Sequence, residues 1–588
     1  MNELNEKQLS AVKNFRGKMI VLAGPGSGKT TIITHKVKYL LENCNVAEKN
    51  ILVITFTKSA AIEMRKRFEK IYGANKVLFA TFHSFFFKII RSFYDLSTKN
   101  ILKENERKNI LKQIIKSEFE IDDDFLQSIS NEISLLKNDL RDINFYSSKI
   151  CETDEFQKIF LAYEKYKQEK CKIDFDDILS LCYKVLTQNI AIKNFYRDRY
   201  KFILIDEFQD INRTQYECIK LLTNENLFVV GDDDQSIYKF RGASPKFLLD
   251  FPKDFPDAKI IILDKNYRST EKIISFCGKI IAQNKNRYEK KFSGRGIIGS
   301  EPKILHFENI TQQAQKISEM IKKNPAKIND TAVIFRTNIQ ARAFVENFMN
   351  LNIVYKLKDE FSSIYENWAV KDILAYMKFS VDSKNISALA QIINRPKRFV
   401  SKTMFAKATK KSYNVLENLF NDKSLPMWQR TYIEELIFHL NELVLKKPYD
   451  CVRYIRKIIG YDKFIKEFRW LSEILDEFQE SAKNFSDIQD FISYAENFSA
   501  KIKNNNGGVT LTTMHSAKGL EFDTVFIISA IEGLIPHEKN YEIEEELRLF
   551  YVALTRAKNN LFISVTKNRY ELKAEPSRFL DIILKKEN

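Results

Sequence analysis

Residues 202–210 read Phe-Ile-Leu-Ile-Asp-Glu-Phe-Gln-Asp. Four apolar residues run directly into two carboxylates, the pattern of a buried strand whose open end delivers acid groups to a site. Outward from this stretch, short runs rich in Val, Ile and Phe stand at 19–22, 51–55, 76–79, 227–230 and 259–263. Most are followed by helical periodicity or a polar loop, which predicts a parallel, doubly wound sheet with phosphate chemistry at the strand ends. Residues 90–196 hold no convincing strand and are dense in Lys, Glu, Leu and Ile, so they read as a helical insertion. A second strand set begins at 331–336 and resumes at 509–514, 524–530 and 561–565. Its halves are separated by a helical pattern from Asp372 to Lys503, and an Asn-Asn-Asn-Gly-Gly turn at 504–508 returns the chain to it. The expected fold is α/β, with two parallel-sheet domains each interrupted by a mainly helical insertion.

A chain of 588 residues exceeds one hydrophobic core, and a prior of about 150 residues per domain gives roughly four. The formal charge of +17 fits a polyanionic partner if the excess is clustered; a solvated lysine-rich surface is the alternative that composition leaves open. The seven cysteines form no Cys-x-x-Cys pair and have no His partner at metal spacing, so they read as reduced thiols, with no structural zinc and no iron–sulfur cluster expected. No signal peptide precedes the first strand and no apolar run approaches the roughly 18 residues of a membrane span, so a cytoplasmic protein without a membrane partner is expected.

Ala23-Gly-Pro-Gly-Ser-Gly-Lys-Thr30, followed by Thr31, links the first strand to a helix at 30–41. The backbone N–H groups of Ala23, Gly24, Pro25, Gly26, Ser27 and Gly28 (Pro25 excepted) and the helix N-terminus are suited to cradling nucleotide phosphates. Lys29 is placed for the β and γ phosphates and Thr30 for Mg²⁺. Asp206 is the second expected Mg²⁺ ligand, and Glu207 the group that orients and deprotonates an attacking water. Arg268 and Arg556 are candidates for stabilising charge on the transferred phosphoryl group. Residues 544–558 have helical periodicity with Leu547, Phe550, Tyr551 and Leu554 on one face, which puts Arg556 on the opposite side with Arg548 and Val552. Periodicity alone leaves Arg556 either a solvated arginine or a phosphate ligand.

The chain resembles superfamily 1 helicases of the UvrD/Rep/PcrA group along its whole length. The resemblance is carried in order by Leu4 to Gln8, Ala23 to Thr30, Val53 to Arg65, Thr81 to Ser84, Asp206 to Asp210, Val230 to Ala243, Asn266 to Thr270, Thr513 to Phe522 and Tyr551 to Ala557. It implies two RecA-like motor domains, at 1–90 with 197–268 and at 269–371 with 504–588, and insertions at 91–196 and 372–503, the second reduced. It implies that Gln8 reads the adenine, Tyr267 stacks on it, and Gln209 and Gln235 sense the γ-phosphate. Arg241 and Arg268 would contact phosphate from the first motor domain and its boundary, with Gly519, Glu521 and Arg556 from the second. ATP and Mg²⁺ are the implied cofactors. Single-stranded DNA and its junctions with duplex are the implied partners, along a track of Phe56, His83, Phe175, Tyr238, Phe240, Arg336, Asn338 and His515. Core packing is the competing reading for each of these aromatics.

The sequence departs from the group in places. Phe240 stands where the group usually has tryptophan, so one base step has a smaller stacking surface. Asn394 to Lys402 lacks the Gly-Ile-Gly that brings duplex backbone close, and Phe361 to Asn367 departs from the usual linker. The chain ends about 30 residues past Arg556, which reads against a nuclease-fused subunit. The expected function is an ATP-dependent DNA helicase moving 3′ to 5′ on single strands, in repair, replication or recombination. The altered second insertion keeps open a translocase that strips proteins from DNA and unwinds poorly alone. A binding regulator with a dead ATPase is opposed by the intact Lys29, Asp206, Glu207, Gln235, Arg268 and Arg556.

Overall fold

The computed structural model describes residues 4–115, 123–359, 363–410, 414–466, 468, 471–502, 505–538 and 542–584. Residues 361 and 362 of the expected linker and 504 of the expected turn lie outside the described residues. Two compact units emerge: one formed by residues 1–302, 539–560 and 582–588, the other by 303–538 and 561–581.

The first unit holds a sheet of β1 (Lys18–Ala23), β2 (Ile51–Thr55), β3 (Leu78–Thr81), β4 (Phe202–Ile205), β5 (Asn226–Gly231) and β6 (Lys259–Leu263). The spatial order is β3-β2-β4-β5-β1-β6 with every pairing parallel. Successive strand residues point to opposite faces, and both faces are covered. On β1, Met19, Val21 and Ala23 join a core with Ile32, Ile33 and Val37 of the helix Lys29–Glu42. Ile20 and Leu22 join another with Phe82, Phe85 and Phe86 of the helix Phe82–Ile90. Burial on both sides explains why these strands read as unbroken apolar runs. It also fixes the site, because the register sets the carboxyl ends of β4, β5 and β1 side by side.

Between β3 and β4 the described residues are helical. The helices Glu104–Ile114, Asp123–Asn138 and Thr153–Glu169 close around their own core of Leu111, Ile129, Ile133, Phe156 and Tyr163. The helix Phe175–Gln188 instead packs Ile178, Leu179, Cys182 and Leu186 into the core beneath the sheet.

The second unit contains β7 (Lys303–Phe307), β8 (Thr331–Phe335), β9 (Tyr355–Leu357), β10 (Val509–Thr513), β11 (Phe522–Ile527) and β12 (Ala557–Thr566), in the order β7-β12-β11-β8-β10-β9. Helices from Trp368–Val381 to Ile488–Lys501 fill the chain between β9 and β10. The doubly wound α/β expectation is met in both units, while β7 and β9 are strands that the sequence reading passed over. Among the described residues no helix is long and apolar enough to cross a membrane, and all seven cysteines are free thiols.

Candidate functional site: a nucleotide pocket and an aromatic track

The phosphate loop leaves β1 and enters the helix Lys29–Glu42 through two left-handed glycines, Gly26 (φ 68°) and Gly28 (φ 86°). Gly26 is also sterically required: a Cβ there would lie 2.6 Å from Cβ of Arg268 and 2.8 Å from Oδ1 of Asn266. Ser27 Oγ donates to Gly24 O at 2.8 Å and Lys29 Nζ to Ala23 O at 3.2 Å, so the loop is folded on itself around its own carbonyls. Gln8, almost fully buried, donates through Nε2 to Ser27 O at 2.9 Å. Its helix is fixed by a capping box in which Asn5 Oδ1 accepts Gln8 N–H and Gln8 Oε1 accepts Asn5 N–H. Asn5 Nδ2 then donates to Tyr267 OH at 2.8 Å, and Tyr267 N–H to Gly26 O at 2.8 Å. Gln8 and Tyr267, 259 positions apart in the chain, are thus brought to the same loop.

At the end of β4, Asp206 is buried and Glu207 takes the left-handed conformation (φ 50°), a strained geometry for a residue with a side chain. That turn directs Asp206 Oδ1 to accept Glu207 N–H at 3.0 Å. Burial, then the charge of Glu207, push the Asp206 carboxyl up to about 7 against the pull of Lys29. Gln209, completely buried, donates to Glu207 Oε2 at 2.6 Å and accepts Asp232 N–H at 2.9 Å. It therefore joins the acids of β4 to the turn after β5.

That turn carries Asp232, Asp233 and Asp234, all with no exposed surface. Lys290 lies 2.6, 2.5 and 3.0 Å from their carboxylates, and Arg287 clamps Asp234 through two bonds of 2.8 and 2.7 Å. Gln235 Nε2 donates to Asp232 Oδ2 at 2.6 Å, which fixes the expected γ-phosphate sensor. Nothing in the local sequence pattern assigns Lys290, Arg287 or Asn5 to this site. The available signal was the run of three aspartates at the end of a buried strand, which cannot stay buried without cations.

Arg268 donates to Thr555 O at 3.2 Å, and Ser269 Oγ to Ala557 O at 2.6 Å, so the segment bearing Arg556 is tied to the segment after β6. Residues 539–560 belong to the same compact unit as the first sheet, so Arg556 shares that unit with Lys29, Asp206 and Arg268. The helix ends at Leu554, short of the expected 558, and every residue from Glu546 to Leu554 is buried. It therefore has no solvated face at its end, and Arg556 is only 2% exposed, with Nε donating to Val552 O at 2.8 Å. The solvated-arginine reading fails. Burial pushes the neighbouring Cys277 thiol up to about 12, opposed by the Arg556 charge.

Phe56, just past β2, stacks on Tyr238 with ring centroids 5.5 Å apart and planes 9° from parallel. Tyr238 meets Phe240 edge-on at 6.0 Å, and the exposed Arg241 guanidinium sits 5.4 and 5.3 Å from those two rings. Phe175 is 53% exposed and contacts His83 edge-on at 5.8 Å, which removes core packing as its explanation. Its presentation has a clear cause. Asp174 and Asp177 on either side are bound by Lys137 and Lys167, and Asp176 accepts from Ser134, Asn138 and Arg107. Burial pushes the His83 imidazole down, opposed by Asp176. Glu164, Asp174 and Asp177 are close enough to share an ion, but the two lysines already lie among them.

The remaining site candidates lie in the second unit. Arg336 and the exposed Asn338 follow β8, and His515 follows β10; these strands are parallel hydrogen-bonded neighbours, so the three residues stand at the carboxyl-terminal ends of the strands. Gly519 (φ 84°) and the exposed Glu521 follow in the loop before β11.

A phosphate loop between a parallel strand and a helix, with an Asp-Glu pair two strands away, defines a P-loop NTPase of the RecA-like class. Residues 4–256 match the UvrD/REP helicase N-terminal domain, and residues 261–457 and 453–568 the UvrD-like helicase C-terminal domain. The chain is 33% identical to YjcD of Bacillus subtilis strain 168, over 99% of this chain and 81% of that one. It is 32% identical to the ATP-dependent DNA helicase Rep of Buchnera aphidicola subsp. Acyrthosiphon pisum, over 98% and 97%. Identity to the ATP-dependent DNA helicase PcrA of Staphylococcus aureus strain Mu50 is also 32%, over 99% and 86%. The chain belongs to the UvrD/Rep helicase family.

Proposed function

We propose that this protein is an ATP-dependent DNA helicase that moves 3′ to 5′ along single-stranded DNA and opens duplex at single-strand junctions, in repair, replication or recombination. One observation carries the reading. Gln209 bridges Glu207 to Asp232, and six residues later the same turn supplies Tyr238, stacked on Phe56. A change at the γ-phosphate thereby has a short, rigid route to a base-stacking surface.

In this reading Glu207 positions and deprotonates the attacking water, and Gln209 and Gln235 register the γ-phosphate. Lys29, Arg268 and Arg556 counter the charge that develops on the phosphoryl oxygens. Asp206 and Thr30 would hold Mg²⁺. The fit is chemical: a buried carboxylate whose negative charge is poorly stabilised, with a hydroxyl, is an oxygen donor set for a hard cation, which would supply further charge neutralisation at the phosphates. Gln8 and Tyr267 take the base, and Arg241 a phosphate. Phe56, His83, Phe175, Tyr238, Phe240, Arg336, Asn338 and His515 contact the strand. A cytoplasmic location suits such a motor.

Unwinding of matched 3′-tailed and 5′-tailed duplexes, beside a single-strand-stimulated ATPase assay, tests the proposal. A 3′-tail preference is expected, and a 5′-tail preference overturns the polarity. Stimulated hydrolysis without unwinding selects the translocase reading, which the absence of Gly-Ile-Gly from Asn394 to Lys402 favours.

A further inference from the structure

The second unit carries a ring cluster that none of the roles above uses. Phe399 is 61% exposed, Trp428 51% and Tyr432 41%. Trp428 meets Phe399 at 5.5 Å and Tyr432 at 6.0 Å, both edge-on, so the rings form one continuous exposed group. The backbone is built to present them. Phe399 adopts the left-handed conformation (φ 58°), which is unfavourable for a residue with a side chain. Gln429 Nε2 holds it there by donating to Phe399 O at 2.7 Å. The preceding Arg398 is buried, donating to Ile392 O at 3.1 Å and Tyr376 OH at 3.0 Å, and so anchors the loop from inside.

Charge identifies the occupant. From Ser383 to Leu416 the sequence has eight lysines and arginines and no aspartate or glutamate. Lys397 and Lys402 flank Phe399 and are exposed, and Arg430 follows Trp428 on its helix. The first carboxylates on that helix, Glu434 and Glu435, lie beyond Tyr432. A second copy of this patch would meet it with like charge. Exposed rings among cations are the surface that single-stranded nucleic acid recognises, by stacking of bases and neutralisation of phosphates.

We infer that Phe399, Trp428 and Tyr432, with Lys397, Lys402 and Arg430, form a second single-stranded DNA contact in which unpaired bases stack on the rings. The inference rests on the DNA-motor reading above and adds a site to it.

The test is photo-crosslinking of the full chain to an oligodeoxynucleotide carrying 5-iododeoxyuridine, followed by trypsin and mass spectrometry. Crosslinks are expected on peptides 424–430 or 399–402, in addition to those bearing Phe56 and Tyr238. In parallel, Phe399→Ala with Trp428→Ala should weaken binding of an oligothymidine by about five- to tenfold, while an abasic oligomer of equal length binds as before. Tyr432→Ala, which removes an exposed ring, gives an independent variant should the double one fold poorly. Crosslinks confined to the first unit, with unchanged oligothymidine binding, overturn this site and leave the motor reading standing. Absence of any crosslink sinks both. A dimer in sedimentation that Trp428→Ala dissolves reassigns the rings to self-association and also overturns the proposal.

Discussion

Two groups of buried acids stand at the ends of neighbouring strands, and cations bind them differently. After β5, Asp232, Asp233 and Asp234 are matched by Lys290 and Arg287 at hydrogen-bond distance. Burial pushes Asp232 up, yet Lys290 and Lys29 pull it back below its ordinary value. After β4, Asp206 is as deeply placed, but burial and Glu207 prevail over Lys29 and its carboxyl stays near 7. The first group is bound by two cations and holds the turn in shape, although burial, then Asp234 and Asp232, still push Asp233 up to about 6 against the pull of Lys290. In the second, the Asp206 carboxyl stays raised despite Lys29, a cost that a cation bound from outside would relieve. Burial alone therefore does not separate the two groups; the cations at hydrogen-bond distance from the carboxylates after β5 do.

The strongest way to break this contrast is Glu207→Gln, which keeps shape and removes the proposed base. We expect kcat for DNA-stimulated ATP hydrolysis to fall by about a hundred- to ten-thousandfold with single-strand binding retained. Normal turnover would strip Glu207 of its role. Lys290→Met attacks the matched group instead. Leaving three carboxylates buried without their shared cation should cost about 3–5 kcal/mol, read as a large fall in Tm. Lys29→Met should abolish turnover and lower Tm by much less, since its hydrogen bond is to Ala23 O and it acts on Asp206 and Asp232 only through its charge. If the two lysines lower Tm equally, the division into structural and working groups is wrong.

Asp206→Asn sharpens the contrast through pH. A carboxyl whose pKa is raised by folding binds more protons in the folded state than in the unfolded chain between about 4 and 7, so the wild type loses stability as pH rises through that window. Asparagine does not ionise. The variant should therefore match the wild type in Tm near pH 3.5, gain on it progressively up to pH 7, and keep a constant advantage above. The same proton should weaken Mg²⁺ binding below pH 7, measurable by calorimetry with nucleotide present. A pH-independent Tm difference would show that the Asp206 carboxyl keeps its ordinary pKa in the folded protein.

How much of this was legible in the sequence follows from where each signal is stored. Residues 51–55 and 202–205 announce their strands because both sheet faces are buried, so local composition carries the information. The edge strands Lys303–Phe307 and Tyr355–Leu357 are partly exposed, and the second is only three residues long, so they look like loop. The phosphate loop and the Asp206-Glu207 pair stand out in the sequence because each follows an apolar run at fixed local spacing, and the structure places them at the ends of β1 and β4. Lys290 and Arg287 do not stand out, because their roles depend on partners more than 50 residues away. Arg556 shows the limit of periodicity: the helical pattern placed it on an open face, and the helix ended two residues before it.

Gln209 offers the subtlest break, because it belongs to neither acid group and touches both. Its amide donates to Glu207 and its carbonyl accepts Asp232 N–H, in a position with no solvent access. Gln209→Met keeps the volume and removes both bonds, leaving a buried Asp232 N–H without its acceptor at a cost of about 1–2 kcal/mol. The matched group should survive this, since Lys290 and Arg287 still bind it, so Tm should fall by only a few degrees. Glu207 would lose the donor that fixes its carboxylate, and kcat should drop about tenfold while ATP binding persists. The telling measurement is the ratio of DNA-stimulated to basal hydrolysis. If Gln209 transmits between the two groups, that ratio falls in the variant; if it only fills space, kcat falls with the ratio unchanged.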